Sequence, residues 1–92
     1  MMSEQEFFWK EIQRIQNSVV NVTMAKISKY DDTEKLLNDV TYDTIYGLME
    51  LLDGHKNNAL QFEIRNVNSG NFINSNTELH NCCEEYLKYS EI

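Results

Sequence analysis

Five apolar residues, Phe8, Ile12, Ile15, Val19 and Val22, recur at spacings of 4, 3, 4 and 3, and no proline interrupts them or any other part of the chain. That spacing brings a side chain back to one face of an α-helix at every turn. Ser3-x-x-Glu6, just ahead of the stripe, is a capping box in which hydroxyl and carboxylate satisfy orphaned backbone N–H groups. A second stripe, Val20, Met24 and Ile27, runs beside the first, so a long N-terminal helix is expected from about residue 4 to about residue 28. One signal competes with it. Val19-Val20-Asn21-Val22-Thr23 is β-branched and would suit a short strand after a helix ending near Asn17. No Gly or Pro marks such a break, and helix is the better reading.

The middle of the chain continues as helix. Asp31 or Asp32 can cap a segment beginning at Thr33. Thr41 can cap another, with Asp43 in its first turn. Ile45, Leu48, Met49 and Leu52 share a face, and Gly54 stands where a left-handed C-terminal cap belongs. Residues 33–53 therefore read either as one bent helix or as two with a joint near Val40. After a loop at His55-Lys56-Asn57-Asn58 the period changes. Leu60, Phe62 and Ile64 alternate with Gln61, Glu63 and Arg65, the pattern of a half-buried strand. Asn68-Ser69-Gly70 suits a type I turn with a glycine bulge, setting Val67 opposite Asn71, Asn66 opposite Phe72 and Arg65 opposite Ile73. In that register Leu60, Phe62, Ile64 and Phe72 share one face. Ser75-x-x-Glu78 is a second capping box, and Leu79, Cys82, Cys83 and Tyr86 line one face of a last helix.

The expected fold class is thus α+β, helix-dominated: a long first helix, one or two middle helices, a two-stranded β-hairpin over about 60–74 and a C-terminal helix, in one small domain spanning 1–92. Hydrophobic content of 41% argues against disorder. Eleven asparagines against eight Lys plus Arg fit an AT-rich bacterial or phage genome. No apolar run reaches the ~18–20 residues of a membrane span, and the acidic start lacks the features of a signal peptide. The two cysteines, Cys82 and Cys83, are adjacent and poorly placed to bridge each other. A reducing compartment, the cytoplasm, is the expectation.

Charge is concentrated in one stretch. Asp31, Asp32, Glu34, Asp39, Asp43, Glu50 and Asp53 face a single cation, Lys35, and the whole chain carries −7. Such a field repels nucleic acid and anionic membrane and speeds encounter with basic protein surfaces. Phe7, Phe8 and Trp9 sweep about 200° of a helix, so they cannot all face one core and at least one ring belongs near the surface. Exposed aromatics of this kind suit a contact.

Chemistry is less well represented. His80, Cys82, Cys83 and Glu84 resemble a ligand set, yet zinc sites space their thiolates on turns, whereas these thiols are helical neighbours about 100° apart. His55 has no pattern tying it to His80. Glu84 and Glu85 work against a lowered thiol pKa. No phosphate loop, dinucleotide fingerprint, nucleophile elbow or zinc-protease motif occurs. The sequence therefore assigns no catalytic residue, metal or cofactor, and the chain reads as a non-enzyme.

The expectation is a small acidic bacterial protein that acts by binding another protein, of inhibitor or immunity type, against a basic partner such as a nuclease. Asp31, Asp32, Glu34, Asp39 and Asp43 would steer the encounter, and Phe7 or Trp9 would anchor it. The alternative is a structural or regulatory homodimer packed through the first helix, whose 4-3-4-3 spacing is that of a helix seam.

Overall fold

The computed structural model describes residues 3–56 and 59–90. Asn57 and Asn58 of the expected loop, and Met1 and Met2 of the acidic start, lie outside those residues. Helix α1 spans Glu4–Ala25. Its N-cap Ser3 is extended, and the hydroxyl accepts the Glu6 N–H at 3.2 Å. The helix runs unbroken through Val19–Thr23, so the strand alternative falls. It gives way to a 3₁₀ turn over Ile27–Lys29.

Helix α2, Thr33–Leu52, is one helix without a joint at Val40. Asp32 caps it by accepting the Glu34 N–H at 2.8 Å. Thr41 does not cap anything: its hydroxyl donates to the Leu37 and Asn38 carbonyls at 2.8 and 3.0 Å, the back-bonding available to threonine inside a helix. The C-terminus is a Schellman motif. Gly54 sits at φ 85° and its N–H reaches the Leu51 carbonyl, while the His55 N–H reaches that of Glu50.

α2 folds back along α1 as an antiparallel pair. The approach is close at Gly47, where a Cβ would lie 2.9 Å from Ile15 Cγ2. Ile15, Val19, Leu51 and Leu60 form the buried core, with Phe8, Ile12, Leu48 and Phe62 packed around it. The rings of Phe8 and Phe62 meet edge to face, centroids 5.6 Å apart. The first apolar stripe is thus largely spent inside the molecule. Ile15 and Val19 pack on α2, so a homodimer seam using them would have to displace it.

The expected hairpin does not form. The fold is helical, with no strand among the described residues, which overturns the α+β class. A single antiparallel bridge joins Arg65 and Phe72. The loop between is four residues long rather than three, because the Asn66 carbonyl takes the Gly70 N–H and its side chain takes that of Asn68. The register moves by one residue, and Phe72 parts from the face of Phe62 and Ile64. A further rung would need a second backbone strand. Instead the Asn74 carboxamide takes its place, accepting the Ile64 N–H at 2.9 Å and donating to the Phe62 carbonyl at 2.8 Å.

The last helix is also shorter than expected. Asn76 adopts φ 57°, and the Ser75 capping box does not start a helix. A 3₁₀ turn over Leu79–Cys82 leads into α3, Cys83–Tyr86, a single turn on which Cys83 is buried and Tyr86 exposed. The tail then returns to α2, where Tyr89 packs on Tyr42 with ring centroids 4.7 Å apart.

The result is a thin molecule, 44 × 35 × 19 Å, with a radius of gyration of 15.2 Å, where a compact chain of this length would have about 12 Å. It exposes 6990 Å², against about 5,600 Å² for a compact globule of the same mass.

Candidate functional site

The acidic residues divide by where α2 places them. Asp31, Asp32 and Glu34 are exposed together at the turn between α1 and α2. Asp39 does not join them, being only 4% exposed. It accepts the Tyr30 hydroxyl at 2.6 Å, the Ser90 N–H at 2.5 Å and the Ser90 hydroxyl. Burial opposes its charge, but the Ser90 and Tyr30 bonds outweigh that and hold its carboxyl below the usual range. Asp39 is an anchor for the tail and is withdrawn from the steering surface. Asp43 is half-buried; burial pushes its carboxyl up, against the pull of Lys26.

The aromatic start divides too. Phe7 packs against the core, whereas Trp9 is 59% exposed, its ring meeting only the edge of Phe8 among the aromatic contacts described. Beyond it on α1, Val20 and Val22 are about half exposed and Met24 is more so. One groove, of about 480 Å³, runs past Trp9, Lys10 and Ile12. A second, of about 400 Å³, lies between the helices and is lined by Ile12, Val20, Val40 and Leu48. Ile12 and Gln16 line both, so the two grooves lie side by side along α1, and the surface they make is the trough of this helix.

A separate polar cluster lies at the C-terminal end of α2. Asp53, the helix C-cap, has a carboxylate only 3% exposed, which accepts the Leu79 and His80 N–H groups, each at 2.9 Å, and His80 Nδ1 at 2.6 Å. Burial works against that charge as well, and the bonds from His80 and Leu79 overcome it, so its carboxyl lies below the ordinary range. Asp53 thus fixes the ring of His80, whose other nitrogen, Nε2, faces the opposite way. That nitrogen points to Glu78 Oε2 at 3.7 Å, while Glu78 Oε1 lies 3.2 Å from His55 Nε2. The two imidazole rings are 4.8 Å apart, and Tyr46 meets the edge of His80 at 5.6 Å. No spacing rule brings residues 55 and 80 together. The legible signals were Gly54 as a helix terminator and the Glu78-x-His80 pair; the fold of the intervening segment joins them.

Burial pushes the Cys83 thiol up, and the charges of Cys82 and Asp53 add to that, which leaves it protonated and a poor nucleophile at neutral pH. No described helix is long and apolar enough to cross a membrane. Comparison with protein-family models, curated proteins and solved structures finds no match.

Proposed function

We propose that this chain is a protein-binding module whose contact surface is the trough along α1, with the acidic turn at Asp31, Asp32 and Glu34 at one end. The observation that carries this reading is the exposed apolar surface on a thin molecule. Trp9 and Val20, which line the trough, stand more than half out of the protein on the same helix that supplies the core. Large apolar surfaces rimmed by polar groups are the usual signature of an interface. A groove between two helices suits an amphipathic helix laid along it. The overall charge of −7 and the exposed acids at the turn select a basic partner, as in an inhibitor or immunity-type protein for a basic enzyme. The adjacent, unbridged Cys82 and Cys83 fit a reducing compartment, and we place the protein in the cytoplasm on that ground.

Trp9 is the single tryptophan and reports directly on the trough. A designed leucine–lysine amphipathic helix should shift its emission to the blue in a saturable, salt-weakened titration. Val20→Asp should reduce the affinity at least tenfold. Changing Asp31, Asp32 and Glu34 together to their amides, which keeps an N-cap at position 32, should slow association and flatten its salt dependence. An equal response to a leucine–glutamate helix, or no shift at all, would remove the proposal. The second reading, a homodimer, is favoured by the same exposed face of Trp9 and Val20 and opposed by the repulsion between two chains of like charge.

A further inference from the structure

We propose that His55, Glu78 and His80 form a three-ligand site for a zinc-class divalent cation, with Asp53 as its buried outer support. The three side chains can each place one ligand atom within 4.8 Å of the others. His55 Nε2 to Glu78 Oε1 is 3.2 Å and His80 Nε2 to Glu78 Oε2 is 3.7 Å. Ligands on a tetrahedral ion with bonds of ~2.0–2.1 Å sit about 3.3 Å apart, so small rotations of exposed side chains would close the set.

Asp53 is what makes this a built site. Histidine ligands commonly donate their second ring N–H to a carboxylate, which fixes the tautomer and strengthens the nitrogen facing the ion. The 2.6 Å contact from His80 Nδ1 to Asp53 is that arrangement, and Asp53 is itself held by two backbone N–H groups. The Schellman ending of α2 places His55 directly beside the cap, since Gly54 at φ 85° turns the chain there. One ligand, His80, is thus held in place by the helix cap Asp53, and the other two, His55 and Glu78, are exposed and adjustable.

Ligand type selects the ion. Two imidazoles and one carboxylate suit zinc and its neighbours, whereas magnesium and calcium prefer all-oxygen sets. Three protein ligands leave a coordination position open to water or to a small anion. Glu78 and Asp53 also line a polar groove of about 650 Å³ with Gln61 and Asn74, which gives that position access to solvent. Binding would tie Glu78 and His80 to the end of α2 through the ion as well as through Asp53.

The test is zinc titration of the full chain by calorimetry. Wild type should bind one Zn²⁺ per chain at micromolar or tighter affinity, with a raised thermal midpoint, and Mg²⁺ should produce neither effect. His55→Ala and Glu78→Gln, both at exposed positions, should keep the helical circular dichroism, weaken zinc binding at least tenfold and lose the zinc-dependent rise. Cobalt(II) should give visible bands of a low-coordinate ion without thiolate charge transfer, and Cys82→Ser should leave them unchanged. Absence of stoichiometric zinc, affinity unaltered in both ligand variants, or loss of binding in Cys82→Ser would each overturn the site. None of these readouts depends on the α1 trough, so the two proposals stand or fall separately.

Discussion

Asp39 and Asp43 are one helical turn apart on α2, and the protein treats their charges in opposite ways. The folded-state pKa of Asp39 is depressed by bonds to Ser90 and Tyr30 that overcome its burial. It therefore contributes stability that is present above its unfolded value of about 3.9 and lost as pH falls through the folded value. Asp39→Asn leaves these donors without a charged acceptor and should cost about 2–3 kcal/mol at neutral pH, with the gap to wild type closing in acid. Asp43 is raised, chiefly by burial, so its ionisation opposes folding above the ordinary carboxylate range. Asp43→Asn should raise the neutral-pH denaturation midpoint, and that gain should vanish once the pH is low enough to protonate Asp43 in both states. Chemical denaturation of both variants from acid to neutral pH checks the pair of signs. The amino-acid sequence offers no way to tell these two aspartates apart, since each is an acid in an acidic run; the difference arises from a tail residue, Ser90, that lies 51 positions away from Asp39 in the chain.

At the scale of elements, α1 and its cap were legible because their causes are local. The Ser3 cap, the uninterrupted period and the lack of proline act within a few residues of one another. The end of α2 was legible for the same reason, at Gly54. What reads less directly is why Gly47 stands within α2, where glycine costs about 1 kcal/mol relative to alanine. The close passage of Ile15 supplies the reason. Gly47→Ala gains helix propensity but drives a methyl group against a stiff β-branched side chain, and overpacking of this kind costs about 1–3 kcal/mol. We expect a net loss of about 1 kcal/mol, measurable in urea; a more stable Gly47→Ala protein would show that the helices can part at no cost. The hairpin fails at this scale too. Alternation at Leu60, Phe62 and Ile64 gave a sound strand pattern, but a strand requires consecutive backbone partners, and the side chain of Asn74 took the place of one.

For the whole molecule, shape decides what remains exposed. A chain 19 Å thick is about two helices deep, so α1 and α2 cover each other on one side and the short C-terminal elements cover only part of the rest. Trp9 and Val20 are left on the open side. If the trough awaits a basic partner, light scattering should give a monomer at low and high salt, because two chains of charge −7 repel each other. A dimer that strengthens as salt screens the charges would instead assign the trough to a second copy.

The sequence by itself determined the two long helices, their caps at Ser3, Asp32 and Gly54, and the acidic character of the chain, because each follows from residues within a turn or two of one another; the Thr41 and Ser75 caps it also suggested do not form. Only the tertiary structure decided which acids are surface and which are anchors, that the alternating segment stays unpaired beyond one bridge, and that His55 meets Glu78 and His80. Those outcomes depend on which distant backbone and side-chain groups satisfy one another's hydrogen bonds once the chain has closed, and no short-range pattern carries that information.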